Sequence, residues 1–138
     1  MPLWIDWVTI DCRDAQALAE FWRNALDYEL EYSSFDDPEA DPSADAEVLI
    51  SPRDRRKARL LFLEVPERKS IKNRLHLDLR SHDQAGEVAR LEAMGASRID
   101  IGQGDVNWVV MADPEGNEFC ILRDPRPDEV DTLFYASP

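Results

Sequence analysis

The stretch from Leu3 to Leu26, LWIDWVTIDCRDAQALAEFWRNAL, changes from a strand pattern to a helix pattern within one run of sequence. Residues 3–12 are rich in aromatic and β-branched side chains, which predicts a strand. The residues that follow place apolar side chains at helical spacing, which predicts a helix facing the core. That apolar stripe consists of Leu18, Phe21, Trp22, Ala25 and Leu26. Asp14 stands where its carboxylate can accept hydrogen bonds from the first free N–H groups of the helix.

The same order of elements occurs twice along the chain. Three short strands are predicted after the first helix, at residues 28–35, 47–51 and 59–65. The second half predicts a strand at 74–80, a helix at 83–94 closed by Gly95, and strands at 98–101, 107–112 and 118–123. An offset of 69 positions (83 − 14) lays Asp14 on Asp83 and Trp7 on His76. The pattern therefore indicates a duplicated β-α-β-β-β unit.

A turn and a tail complete the second half. Residues 113–117, DPEGN, combine a proline with a glycine and an asparagine between apolar segments, which predicts a hairpin turn. Residues 125–138 are rich in proline and acidic residues and are too irregular for another core element. We expect the apolar triplet at 133–135 to dock on this chain or on a second subunit, because three large apolar residues are unfavourable in water.

Composition excludes several classes of function. A chain of 138 residues fits one ordinary domain. Its formal net charge of −13 repels phosphate backbones and anionic lipids, so nucleic acid and membrane surfaces are not expected partners. Two cysteines are too few for a disulfide framework, and no long apolar run or export signal occurs. We therefore expect a cytoplasmic protein.

Motifs in both halves resemble the glyoxalase-like branch of the vicinal oxygen chelate superfamily over residues 3–124. They are AEFW at 19–22, ALDY at 25–28, RLHLDL at 74–79, LEAMGA at 91–96 and DPEGNEFCIL at 113–122. The resemblance implies an α+β fold in which two βαβββ modules, about residues 3–66 and 73–124, pack into a cup-shaped, partly closed mixed sheet with helices outside. It also implies a cleft for a small molecule. The superfamily holds glyoxalase I, extradiol dioxygenases, fosfomycin-modifying enzymes and metal-free bleomycin-binding proteins, so the fold alone does not select the chemistry.

The resemblance also assigns positions for a divalent metal. In metal-dependent members, the ligands come from the first and last strands of each module, and here those positions are Trp7, Leu63, His76 and Cys120. Only His76 is of the family's usual ligand type, so the sequence favours a protein without metal or other cofactor. A one-residue shift in this alignment would place Glu64 at the ligand position assigned to Leu63. The result would be a three-ligand set of His76, Glu64 and Cys120. That alternative stays open.

The predicted site is a small-molecule pocket. His76 alternates with Leu75 and Leu77, which we expect in the core, so His76 is the candidate catalytic acid or base. Trp7, Leu63, Trp108 and Cys120 are the further candidate ligand-binding residues, the tryptophans as aromatic walls. For the tryptophans the alternative is core packing, and for Cys120 it is an inert small residue.

We expect the protein to bind a small organic molecule between the modules, as a metal-independent lyase or isomerase. The alternatives are a binding protein that sequesters an antibiotic or toxin, and a divalent-metal-dependent enzyme of glyoxalase or dioxygenase type. The resemblance and the apolar triplet of the tail also favour a homodimer.

Overall fold

The computed structural model describes residues 2–54 and 56–130, which form two compact units that divide between Ser70 and Ile71. The first unit comprises β1 (Trp7–Cys12), α1 (Ala15–Leu26), β2 (Glu29–Ser33), β3 (Glu47–Ser51) and β4 (Arg59–Glu64). Its four strands form one mixed sheet in the order β1-β4-β3-β2, with β1 parallel to β4 and the other neighbours antiparallel.

The second unit repeats this topology. It comprises β5 (Leu77–Leu79), α2 (Gln84–Ala93), β6 (Ser97–Arg98), β7 (Val109–Ala112) and β8 (Glu118–Ile121). The sheet order is β5-β8-β7-β6, again with the first strand parallel to the last. The two-module α+β fold predicted from the sequence is therefore confirmed.

The helices begin at equivalent aspartates. The Asp14 carboxylate accepts a hydrogen bond from the Ala17 N–H at 2.9 Å, and the Asp83 carboxylate accepts one from the Gly86 N–H at 2.9 Å. Each aspartate thus satisfies a backbone donor that has no partner within its own helix. Asp14 and Asp83 are related by the offset of 69, and each accepts its hydrogen bond from the N–H group three residues later. The duplication therefore includes the side chains that cap the two helices.

Each unit buries one apolar face of its sheet. Helix α1 packs against β3 and β4, and Trp22, Ile50 and Phe62 are fully buried. In the second unit, Val88 of α2 and Phe119 of β8 are fully buried. Successive strand residues point to opposite faces, so the residues that alternate with these core positions lie on the other face of each sheet.

The first strand is shorter than predicted. It was expected over residues 3–12 but begins at Trp7, and Leu3, Trp4 and Ile5 are exposed. Its partner β4 begins at Arg59, which pairs with Trp7, so the residues before Trp7 have no strand to join.

Strand β5 is also shorter than predicted, at three residues instead of seven. The expectation that Leu75 enters the core is wrong, because this side chain is 84% exposed. Pairing with β8 starts only at Leu77 and Phe119. The other strands of the second unit are also shorter than expected or shifted: β6 spans Ser97–Arg98, and β7 begins at Val109.

The predicted hairpin is confirmed between β7 and β8. Asp113 is buried and its carboxylate accepts hydrogen bonds from the backbone N–H groups of Glu115 and Asn117, while Gly116 has a φ of 89°. A short helix, α3 (Pro127–Val130), follows β8. The apolar triplet at 133–135 lies outside the described residues. In the described part of the chain, no helix has both the length and the apolar character needed to cross a bilayer.

Candidate functional site

The face of the second sheet opposite its buried core carries polar side chains. Asp78 of β5 and Cys120 of β8 are direct register partners in the parallel pair, and His76 precedes Asp78 by two residues. These three residues have the parity opposite to Leu77 and Phe119, which places them on one face of the sheet.

A pocket of about 390 Å³ lies on this face, within the second unit. Its apolar lining comes from Ile101, Trp108, Val110 and Leu122. Its polar lining comes from Lys72, His76, Asp78, Gln103, Glu118 and Cys120. Although polar residues are more numerous, most of the surface of the lining is apolar, as is typical of pockets that hold small organic ligands.

Asp78 connects the polar groups of the pocket. One of its carboxylate oxygens, Oδ1, lies 3.4 Å from Nε2 of His76. The same carboxylate is hydrogen-bonded to the Cys120 thiol. The ligand atoms of His76, Asp78 and Cys120 all lie within 4.8 Å of one another. We call these three residues the His76–Asp78–Cys120 cluster.

The environment of Cys120 disfavours its thiolate form. Burial raises the pKa of the Cys120 thiol, and the negative charge of Asp78 and the hydrogen bond to it raise this pKa further. The ammonium group of Lys72 acts in the opposite direction, with a smaller effect. Because the nucleophile in cysteine chemistry is the thiolate, these surroundings do not support Cys120 as a catalytic nucleophile.

The segment before β5 is anchored to the start of β8. The Asn73 N–H donates a hydrogen bond to the Glu118 carboxylate at 3.0 Å, and the Asn73 side chain lies 3.4 Å from Oδ1 of Asn117. These contacts fix the chain between Lys72 and His76 although it is not in a strand. They therefore place the side chains of Lys72 and His76 beside the pocket.

The loop between β6 and β7 forms a second wall. The Gln103 side chain accepts a hydrogen bond from the Ile101 N–H at 2.8 Å and donates one to the Ile99 carbonyl at 3.4 Å. Gln103 therefore stabilises the loop that presents Ile101 to the pocket. Trp108, at the end of this loop, was predicted as a pocket residue, whereas Ile101 was expected only as the end of a strand and Gln103 was not predicted.

Three of the five predicted site residues meet in this pocket, namely His76, Trp108 and Cys120. Trp7 and Leu63 lie in the first unit. The Arg59 guanidinium stacks over the Trp7 ring, 5.0 Å from its centroid, and the Leu63 carbonyl accepts a hydrogen bond from the Cys12 thiol at 3.5 Å.

Strand register refines the correspondence between the two units. Thr9 pairs with Leu61 in the first unit, as Asp78 pairs with Cys120 in the second. Because Thr9 and Asp78 are related by the offset of 69, Leu61 rather than Leu63 is the equivalent of Cys120. Glu64, the alternative metal ligand, accepts a hydrogen bond from the Ala15 N–H at 2.9 Å and so takes part in the start of α1.

Comparison with known proteins identifies the family. The two-module fold and the family match together place the chain in the vicinal oxygen chelate superfamily. The family model for the glyoxalase-like domain matches residues 7–122, and the chain belongs to this family. No curated protein matches the chain.

Solved structures share this fold at low sequence identity. The fosfomycin resistance protein FosX from Mesorhizobium loti is 13% identical, with a TM-score of 0.68 over 96% of this chain and 100% of that one. FosX from Listeria monocytogenes is 14% identical, with a TM-score of 0.68 over 96% of this chain and 99% of that one. A glyoxalase/bleomycin resistance protein/dioxygenase family enzyme from Burkholderia phytofirmans PsJN is 21% identical, with a TM-score of 0.57 over 84% of this chain and 94% of that one.

The comparisons bear on the question of a metal. Structures of the Listeria protein include complexes with Mn(II), in one case together with 1S,2S-dihydroxypropylphosphonic acid. In this chain, the His76–Asp78–Cys120 cluster offers one imidazole, one carboxylate and one thiol close enough to face a single ion. The donors present therefore fit a divalent metal, although the sequence favoured a metal-free protein.

Proposed function

We propose that this protein binds a small organic molecule in the pocket of its second unit, with His76 as the central polar contact. The observation that carries the proposal is the meeting of His76, Trp108 and Cys120, each selected from the sequence, in one pocket of about 390 Å³. This volume lies within the range typical of ligand sites, roughly 300–1,000 Å³.

The lining of the pocket indicates the kind of molecule it fits. Trp108 is 39% exposed and offers part of its ring as a flat apolar surface. Lys72 contributes a positive charge, and Asp78 and Glu118 contribute negative charges. We therefore expect a ligand with an apolar portion against Trp108 and polar groups directed toward His76 and Lys72.

In the metal-free protein, His76 and Asp78 form an arrangement suited to proton transfer. The Asp78 carboxylate, 3.4 Å from Nε2, can orient the His76 ring. We propose that His76 takes a proton from the bound molecule. Return of this proton at another atom gives an isomerase reaction, and its transfer to a leaving group as the bond to that group breaks gives a lyase reaction. Asp78 then acts as a positioning residue.

Binding can be tested with fragments and with named compounds. Nitrogen-15 NMR spectra of the chelator-treated chain would be recorded with a fragment library, with fosfomycin and with 1S,2S-dihydroxypropylphosphonic acid. We expect at least one compound to shift the Trp108 indole and the Cys120 amide while leaving Ile50, in the core of the first unit, unchanged. Shifts confined to other surfaces, or none at millimolar concentration, would overturn the proposal.

The two histidines of the chain supply a matched control for the role of His76. The exposed His82 precedes α2 and does not line the pocket. We expect His76→Ala to weaken binding of each hit, whereas His82→Ala leaves it unchanged. Mass spectrometry of the mixtures separates an enzyme, which alters the compound, from a binding protein, which returns it intact.

A divalent-metal-dependent enzyme is the second candidate function, and the His76–Asp78–Cys120 cluster favours it. A metal held there would supply a Lewis acid that polarises an oxygen of the bound molecule. In that state His76 is a ligand rather than a proton carrier. Lys72, Trp108 and Gln103 would still orient the organic molecule beside the cluster.

Several expectations from the sequence stay proposals. Trp7→Ala and Leu63→Ala test whether the first unit also contributes ligand contacts. Cell fractionation tests the cytoplasmic location, and sedimentation equilibrium tests the homodimer. The exposed Leu3, Trp4 and Ile5 supply apolar surface that supports self-association.

A further inference from the structure

We infer that His76, Asp78 and Cys120 bind one divalent metal ion within the second unit, and that Cys120 makes this site selective for zinc over manganese. The inference deepens the second candidate function and rests on it. The proposed site differs from the site that the resemblance implies. All three ligands belong to the second unit, and Asp78 serves as a ligand instead of residues at the positions of Trp7 and Leu63.

Strand geometry brings the three donors together. Asp78 and Cys120 are direct neighbours across the parallel pair of β5 and β8, and neighbouring strands lie about 4.8 Å apart. His76 stands two residues before Asp78, and its Nε2 is already 3.4 Å from Oδ1 of Asp78. All three ligand atoms lie within 4.8 Å of one another, so small side-chain rotations can direct them at one ion.

The surroundings support the cluster. The contact between Asn73 and Glu118 holds the segment that carries His76, and Cys120 sits on the buried part of β8. The side chains of His76 and Asp78 are 42% and 51% exposed, so an ion can reach them through the pocket. A four-coordinate ion held by these three residues would keep one position for water or substrate, as in catalytic zinc sites.

The donor types determine which ion is preferred. Imidazole and thiolate are ligands that suit zinc, whereas manganese and magnesium prefer sets composed of oxygen donors. A bound ion displaces the proton of the Cys120 thiol, and the resulting thiolate ligand separates this site from one that is selective for manganese. Replacing the sulfur by a carboxylate should shift the preference toward manganese without removing the site.

The chain offers a matched control for each substitution, since it contains two histidines and two cysteines. Cys12 is buried in the first unit, and His82 lies outside the cluster. The full-length protein is stripped with a chelator and titrated with zinc and manganese by calorimetry. Cobalt is added separately, because a thiolate ligand gives cobalt(II) a charge-transfer absorption band in the near ultraviolet.

We expect one zinc ion per chain, bound more tightly than manganese. We also expect a thiolate-to-cobalt band that Cys120→Ser removes and Cys12→Ser retains. His76→Ala and Asp78→Ala should each weaken zinc binding by at least roughly tenfold, since loss of even an outer partner of a metal ligand costs about 10–100-fold. His82→Ala should leave zinc binding unchanged. Cys120→Asp should lower the ratio of zinc affinity to manganese affinity.

The inference is overturned if less than one zinc ion binds per chain, if the cobalt band survives in Cys120→Ser, or if Cys120→Asp leaves the metal preference unchanged. Circular dichroism of each variant separates loss of the site from loss of the fold. Failure here is distinct from failure of ligand binding, because the fragment experiment uses chelator-treated protein. A hit that binds the stripped chain would retain the binding proposal even if no metal binds.

Discussion

Asp78 of β5 and Cys120 of β8 face each other across the parallel pair, and the Cys120 thiol is hydrogen-bonded to the Asp78 carboxylate. In the first unit, the equivalent pair is Thr9 and Leu61, which carry neither a carboxylate nor a thiol. The two units therefore share a fold, but the carboxylate and thiol at this position occur only in the second unit. The pocket described here draws its reactive groups from the second unit.

The carboxylate of Asp78 contributes to the raised pKa of the Cys120 thiol in the metal-free protein. We predict that Asp78→Asn lowers this pKa, because a neutral amide no longer repels the thiolate. Lys72→Ala should raise it, since the ammonium group favours the thiolate. Ultraviolet absorbance of the thiolate, followed against pH in a Cys12→Ser background with a chelator present, measures both changes. Shifts of the same sign in the two variants would contradict the assignment.

Trp108 supplies the aromatic wall of the pocket. We predict that Trp108→Ala weakens binding of any pocket ligand by about fivefold or more, the equivalent of roughly 1 kcal/mol at an aromatic contact. Trp108→Phe should retain most of the affinity because it keeps a flat apolar ring. Trp4→Ala is the matched control, since Trp4 is exposed and does not line the pocket. Calorimetric titration with the fragment hits provides the measurement, and equal losses at Trp4 and Trp108 would refute this role.

Local signals in the sequence predicted the elements and their order. The apolar stripe of α1, its cap at Asp14 and the turn at 113–117 depend on neighbours within a few residues, and the structure confirms each of them. Strand ends depend instead on distant partners. Strand β1 begins at Trp7 because its partner β4 begins at Arg59. The local sequence around Leu3 carries no information about the position of Arg59.

The site was predicted only in part for the same reason. His76 and Cys120 could be selected from their family positions. Lys72 and Gln103 reach the pocket through irregular segments, one anchored by Glu118 and the other folded on its own loop. Such contacts depend on tertiary structure, so periodicity does not reveal them.

The two helix caps are predicted to contribute equally to stability. Asp14→Ala and Asp83→Ala each remove one acceptor for a helix N–H group, and each should lower the free energy of unfolding by about 1 kcal/mol, within a range of roughly 0.5–2 kcal/mol. Asparagine at either position should preserve most of the stability. Urea denaturation followed by circular dichroism measures the change, and an unaffected midpoint for either alanine variant would show that its cap is not formed in solution.

Gly86 provides a test of the second cap by a double-mutant cycle. A methyl group added at Gly86 would collide with the carboxylate of Asp83, the side chain that caps α2. We predict that Gly86→Ala fails to stabilise the protein, because displacement of the cap offsets the gain in helix propensity. In an Asp83→Ala background, the collision is absent, and the same substitution should raise the free energy of unfolding by up to about 1 kcal/mol. Urea denaturation of the four proteins gives the coupling energy, and equal effects of Gly86→Ala in both backgrounds would contradict the capping geometry.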